Sequence, residues 1–447
     1  ARFVSYTETF WDGIQRLGQG AALVFEKGAV RGWQWHGHAF EDQSRLSETE
    51  LIDKFRDLLD TALIASMRSS TPVASHLSGG LDSSTVVARL TELHRAGRVP
   101  VQVEAISARF PGETQDETEW SSAVEAHLGI AARVTAADPY PLDAARKWCA
   151  DTLQLPLRPN IHDTVTPTLR TMRERGERVL LTGEGGDDWM AGNFGYLPDM
   201  FLRGDLFGLF REAMTQFPAE NRFVALRRTA FLATAPVFSP AHRTKLLKPH
   251  IILDPPMPDF INAEWATRIG LPDRWRNTPA PATPRGFAQQ QRYAVFSHAR
   301  RHIGHDTVLA AAEASGVEMR HPLHDLRLAH FFMGVPGRML RRNGEKKYIL
   351  REAMRGTLPE VVRRRQDKAV FITSLIDGID ARFRECPPQQ LLPVKMGWID
   401  GDMLESMFAP AREWRRAGSQ GPLSRARLGP VWFIVAMDLW LEHAFGL

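Results

Sequence analysis

Two glycine-rich runs carry most of the chemistry that this sequence could perform. The first is His76-Leu77-Ser78-Gly79-Gly80-Leu81-Asp82-Ser83-Ser84, two glycines and small hydroxyl side chains set directly before a helical stretch. Such a loop turns backbone N–H groups toward a helix N-terminus and lets a phosphate approach the main chain closely. It lacks the G-K-[ST] ending of the Walker loop, so it does not spell transfer of a γ-phosphate. The second run, Leu180-Leu181-Thr182-Gly183-Glu184-Gly185-Gly186-Asp187-Asp188, follows a strand-like apolar segment and presents three carboxylates among glycines. Triphosphate chemistry needs Mg²⁺, whose natural protein ligands are carboxylate oxygens, so Asp82 and Asp187 are the candidates to hold it jointly.

The elements that must position these runs alternate as in a parallel α/β sheet. Strands are expected at Val73 to Leu77, Val101 to Ala108, Ala132 to Thr135 and Arg178 to Thr182. Helices are expected at Ser83 to His94, Glu117 to Leu128 and Thr166 to Arg175. This is an open doubly wound sheet, in which ligands sit at the carboxyl ends of strands. Upstream, Ser47 with Glu50 forms a capping box for a helix whose apolar face runs through Leu51, Phe55, Leu59 and Leu63. Before it, strand-like pieces such as Ala21 to Phe25, punctuated by Gly18, Gly20, Gly28 and Gly32, read as the end of a β-rich domain. From about Met190 the pattern becomes mainly helical with proline-rich punctuation. The expected division is residues 1–45, 46–200 and 201–447.

Composition agrees with a folded multidomain chain. Its 447 residues exceed what one compact core usually holds, and 43% hydrophobic with 24% charged residues excludes a disordered or collagen-like chain. The charge balance, 56 − 52 = +4, does not by itself call for nucleic acid. The longest apolar stretch, Val431 to Leu441, is interrupted by Asp438, so no bilayer span is expected. Two cysteines, Cys149 and Cys386, suit free thiols in a reducing cytoplasm.

The first run resembles the S-G-G-x-D-S pyrophosphate loop of the N-type ATP pyrophosphatases, which cleave ATP to AMP and pyrophosphate. The second resembles the G-E-G-x-D-E segment of the asparagine synthetase family, with Gly186 where Ala is usual and Asp188 where Glu is usual. Glu318-Met319-Arg320-His321-Pro322-Leu323-His324-Asp325 resembles that family's E-x-R-x-P-F-L-D stretch, with Leu323 and His324 in place of Phe and Leu. Further on, Lys346 to Ala353, Leu358-Pro359 and Arg365 to Phe371 resemble its K-x-x-L-R-x-A, L-P and R-x-K-x-x-F signals. The resemblance implies an ATP- and Mg²⁺-dependent ligase that adenylates a carboxylate and passes the acyl group to an amine. It implies a nucleotide site built from Leu77 to Ser84, Ser107 beside Ile106, and Gly183, Glu184 and Gly185, with Asp82 and Asp187 on the metal. It places Glu318 as the base that takes the amine's proton, with Glu352 as a second candidate. The family's C-terminal phosphate-facing lysine has no counterpart here; Arg425 and Lys368 are the candidate substitutes. Between Arg338 and Lys368 eleven basic residues stand against four acids, most of them expected on a solvated helix face.

The departures bear on the substrate. Thr9 to Trp35 resembles only the closing end of a glutaminase domain, and no N-terminal nucleophilic cysteine is present. Relatives without a working glutaminase include β-lactam synthetases, which tend to carry tyrosine where Glu318 stands, and lasso peptide cyclases, which close a peptide side-chain carboxylate on the peptide's own N-terminal amine. The favoured expectation is a lasso-type macrolactam cyclase whose partners are a precursor peptide and its leader protease. The alternatives are asparagine synthesis from glutamine or ammonia, a tRNA-modifying pyrophosphatase, and a non-catalytic peptide-binding scaffold.

Overall fold

Ser47 opens the first long helix as its sequence demands. Its side chain accepts from the Glu50 N–H while Glu50 reaches back to the Ser47 N–H at 2.8 Å. The helix, α1 (Glu48–Ser66), buries Leu51, Phe55, Leu59, Ala62 and Leu63 on one face. It is seen in a computed structural model that describes residues 7–35, 41–113, 115–136, 142–157, 165–217, 220–239, 258–276, 286–296, 300–367, 372–419, 423 and 428–447.

The expected strands and helices form: β3 (Val73–His76), α2 (Leu81–Arg95), β4 (Glu104–Arg109), α3 (Thr118–Leu128), β5 (Arg133–Ala136), α5 (Thr166–Glu174) and β6 (Val179–Leu181); one helix not among the expected elements, α4 (Leu142–Thr152), stands between β5 and α5. With a fifth strand, β7 (Glu318–Arg320), these strands make one parallel sheet whose order β5-β4-β3-β6-β7 puts the chain reversal between β3 and β6. That is the topological switch point, so the crevice beyond the carboxyl ends of β3 and β6 is where this architecture receives a ligand. Both glycine-rich runs lie there.

The fifth strand, β7 (Glu318–Arg320), is not among the expected elements. Three residues, two of them charged, show no alternation to read; the strand exists because its backbone pairs with the edge of β6, with Val179 opposite Glu318 and Leu181 opposite Arg320. The sheet is therefore completed from beyond residue 200. One hydrophobic cluster likewise joins α1, the sheet and residues such as Phe331, Phe332, Ile349 and Leu350.

At the N-terminal side, β1 (Ala21–Glu26) and β2 (Ala29–Gln34) form an antiparallel hairpin. Its two-residue turn, Lys27-Gly28, has φ of 51° and 81°, the left-handed pair that a tight hairpin requires.

A separate hydrophobic cluster unites α4 with the helices Thr373–Glu385, Gly401–Arg416 and Leu428–Phe445. Among the described residues no helix is long and apolar enough to cross a membrane. Asp438, the charge that interrupts the last apolar helix, is buried against Arg382 at 2.6 Å and accepts the Leu392 N–H at 2.7 Å. Asp438→Ala would leave the nearly buried Arg382 guanidinium without this partner. An expected loss of about 3–5 kcal/mol is checked by urea unfolding. Both cysteines are free thiols, and burial pushes Cys149 up to about 12.

Candidate active site

The loop after β3 enters α2 through Gly80, which offers no side-chain cap to the first-turn N–H groups. Gly79 has φ +78°, and a Cβ there would lie 2.4 Å from Trp120 Cβ and 2.6 Å from Ser121 N, so only glycine lets the loop pack on α3. Ser78 Oγ lies 2.9 Å from Ser83 Oγ and accepts the Gly80 N–H at 3.2 Å, which ties the loop across its own turn. The run after β6 presses directly on it. A Cβ on Gly183 would come within 2.5 Å of Ser83 N, so the two backbones touch because that side chain is absent. At Gly186, the position where the family usually has Ala, a Cβ would meet the Asp82 carboxyl at 2.3 Å. Its absence lets Asp82 lie against the second run.

Between the runs is a cavity of about 640 Å³, within the usual range for a small-molecule site. Leu77, Ser78, Gly80, Leu81, Asp82, Ser83, Gly183, Glu184, Gly185 and Asp187 all line it, as do Ile106 and Ala108 of β4. Three expected nucleotide-site residues are not on its wall. Gly79 faces Trp120, Ser84 sends its N–H to the Gly80 carbonyl at 3.1 Å, and Ser107 is buried inside β4 opposite Val134. The Ile106 carbonyl is occupied by the Leu77 N–H at 2.7 Å.

Lys347, the lysine of the K-x-x-L-R-x-A match, is a wall residue to which the motif reading assigns no role. Its ammonium lies 2.5 Å from Asp82 Oδ2 and 2.6 Å from Asp187 Oδ1, bridging the two expected metal ligands. The two carboxylates thus converge on one cation, and this all-oxygen donor set fits Mg²⁺. A hairpin delivers the lysine: Arg341–Arg342 pairs with Glu345–Lys346 around Asn343-Gly344, whose φ values of 53° and 79° fit a two-residue turn. The available signals are that Asn-Gly pair and the lysine's own place at the head of the K-x-x-L-R-x-A match. Lys347→Met removes the shared cation and leaves two acids facing each other. The metal-free protein is expected to lose roughly 1–3 kcal/mol, less than a fully buried pair because Asp187 is half exposed. Thermal melting should show Mg²⁺ restoring the loss.

The basic stretch is not a solvated helix face. Helices within it are short, and most of its charges are paired: Arg342 with Glu48, Arg363 with Glu360 and Glu352, Arg364 with Glu345. Lys346, Lys347, Arg351 and Arg365 do line the cavity. Arg365 pairs with Glu117 at 2.7 Å, donates to the Gly79 carbonyl at 3.3 Å and stacks over Trp120. Arg351 holds the carbonyls of Lys346, Arg363 and Arg365, bracing this wall.

Two expected catalytic carboxylates are placed elsewhere. Glu318 opens β7, at the amino end of the sheet, and its exposed carboxylate receives two 2.8 Å bonds from Arg320, which hold it below the usual carboxylate range. Glu352 is held by Arg355 and Arg363. Neither is on the cavity wall. The resemblance selects Glu318 by motif position, whereas the parallel register with β6 sets it at the amino end of the strand, away from this cavity. Glu318→Gln is expected to change both partial reactions by less than about 3-fold and stability by at most about 1 kcal/mol, as for other exposed pairs. Lys368 and Arg425 lie outside the described residues.

Glu184 is a carboxylate on the cavity wall. It lies in the turn at the carboxyl end of β6, 3.9 Å from His321 Nδ1. Histidines cluster around it. His321 Nδ1 is 2.6 Å from the Thr182 hydroxyl, and the His305 ring packs edgewise on those of His321 and His324. His324 Nε2 lies 2.8 Å from Asp188 Oδ2, so two of the departures from the family pattern are partners of each other. Burial holds His76, below them, down at about 4 and therefore neutral. Trp189 is buried and donates to the Leu323 carbonyl at 2.8 Å, which ties the second run to the turn after β7.

A family model for asparagine synthase matches residues 54–442. The chain belongs to the asparagine synthase family. This family member is 25% identical over 339 residues to asparagine synthetase [glutamine-hydrolyzing] 1 of Bacillus subtilis, covering 71% of this chain and 49% of that protein. It is 26% identical over 213 residues to amidase chyE of Penicillium rubens, covering 44% of this chain and 32% of that one. The chain thus spans about half the length, or less, of these curated relatives. Among solved structures it is similar to the U34-tRNA thiolase NcsA from Methanococcus maripaludis, with a TM-score of 0.23 and 15% identity over 58% of this chain and 80% of that one. A likeness that slight carries no argument about function.

Proposed function

We propose that this asparagine synthase family chain is an ATP-dependent amide-forming ligase that adenylates a carboxylate and transfers the acyl group to an amine. The observation that carries the reading is the convergence of Asp82, Asp187 and Lys347 directly over the Ser78–Ser83 loop at the sheet's switch point. First-turn N–H groups of α2 hold phosphate oxygens. Mg²⁺ held by Asp82 and Asp187 would neutralise triphosphate charge. Lys347, released from the two acids, stabilises charge on the departing pyrophosphate. The substrate carboxylate attacks the α-phosphorus, the bond to the β-phosphate oxygen breaks, and pyrophosphate leaves with the electron pair. The amine nitrogen then attacks the acyl carbon, AMP departs, and the surplus proton passes to a carboxylate. Glu184 is that base. Its place supports this: it lies on the cavity wall at the carboxyl end of β6, beside His321, while Glu117 and Asp367 pair with Arg365, Asp188 with His324, and Asp82 and Asp187 with Lys347.

The finer reading is a lasso-type macrolactam cyclase, in which one peptide supplies both carboxylate and amine. It is supported by Asp188 and His324, whose shared departure from the family pattern rebuilds the wall beside Glu184. The test is exchange of radiolabelled pyrophosphate into ATP with Mg²⁺, comparing aspartate with a peptide carrying a side-chain carboxylate and a free N-terminus. Exchange with the peptide, AMP as co-product and a peptide lighter by one water are expected. Exchange with aspartate alone transfers the reading to asparagine formation, and ADP as the primary product overturns both.

A further inference from the structure

Glu184, His321 and His305 come from three separate elements: the turn after β6, the residue after β7, and the helix Arg300–Ser315. One ligand atom from each lies within 4.8 Å of the others. A zinc ion with bonds of about 2.0–2.1 Å needs tetrahedral ligands about 3.4 Å apart, so modest side-chain rotation closes this set. The Thr182 hydroxyl, 2.6 Å from Nδ1, holds the His321 ring in place. The His305 and His321 rings both pack edgewise against His324, which Asp188 holds. Two imidazoles and one carboxylate suit Zn²⁺ or Co²⁺; Mg²⁺ favours oxygen and matches Asp82 and Asp187 instead.

We propose that Glu184, His305 and His321 form a second, reversible cation site for a Zn²⁺-type ion, and that its occupancy withdraws Glu184 from proton transfer and so inhibits amide formation. The inhibitory half rests on Glu184 being the base; the binding half does not. Occupancy would also fasten the Arg300–Ser315 helix to the carboxyl edge of β6 and β7, across the cavity from the phosphate loop.

The probe is Co²⁺, titrated into the full chain with Mg²⁺ in large excess to occupy the oxygen site. One equivalent is expected to give visible ligand-field bands of a low-coordinate nitrogen and oxygen site, displaced by Zn²⁺. His305→Ala and His321→Ala should each weaken binding at least about 10-fold, in line with the loss of a direct ligand, with the far-ultraviolet circular dichroism unchanged. Absence of stoichiometric Co²⁺ binding, or binding that survives both substitutions, overturns the site. In partial reactions, Zn²⁺ should suppress amide formation while pyrophosphate exchange continues, and the activity remaining in His305→Ala should resist Zn²⁺. Binding without that inhibition overturns the regulatory half. Amide formation that persists in Glu184→Gln would overturn the base reading and the inhibitory half with it, while the Co²⁺ titration still decides the binding half.

Discussion

Asp82→Asn is expected to abolish both pyrophosphate exchange and amide formation, by about 10³-fold or more, while the protein still folds. Asp82 sits at the first turn of α2 with its carboxylate against the turn at Gly186 and against the Lys347 ammonium. The amide keeps the volume but removes a full negative charge, so one hard ligand of the metal and the counter-charge of Lys347 disappear together. Loss of a single preorganised charge-stabilising group in a water-poor site costs about 10²–10³, and here two functions fail at once. Thermal melting distinguishes this from misfolding: one cooperative transition should remain, lowered by no more than in Lys347→Met, while Mg²⁺ and ATP should no longer raise it together. Exchange retained at a tenth of wild type or better would remove Asp82 from the metal site.

Glu184→Gln should split the reaction. Gln preserves the shape of the turn between Gly183 and Gly185 but cannot take up a proton from an attacking amine. Adenylation needs no base, so exchange should survive within a few-fold, whereas amide formation should fall by about 10²–10⁴. Single-turnover quenching should then show AMP and intact acyl substrate, as the adenylate hydrolyses in place of aminolysis. Because Glu318→Gln is expected to do little, the pair of variants separates two carboxylates that the motif alone confuses. Equal loss of exchange and amide formation in Glu184→Gln would make Glu184 a positioning residue of the nucleotide loop.

Local sequence determined the parts of this protein whose physics is local. Ser47 and Glu50 satisfy each other's N–H groups within one helical turn, so α1 could be read without a fold. The loop at Ser78 to Ser84 and the run at Gly183 to Asp187 were legible for the same reason, since glycine and hydroxyl spacing states what the main chain can do there. Alternating apolar strands and amphipathic helices were enough for a parallel sheet with its ligand crevice at the carboxyl ends. Tertiary structure decided the rest. β7 forms only because a neighbouring edge accepts its backbone, and that register sends Glu318 to the amino end of the sheet, while the turn after β6 carries Glu184 to the cavity. Lys347 is 265 residues from the acid it bridges and becomes a site residue only when the Asn343-Gly344 hairpin folds back over the loop. Asp188 and His324 are 136 residues apart and look like two unrelated departures until a 2.8 Å contact joins them. Charge partners at long separation leave no periodic trace, because the energy that selects them is electrostatic and acts through space, while pattern along the chain records only which face of each element is buried.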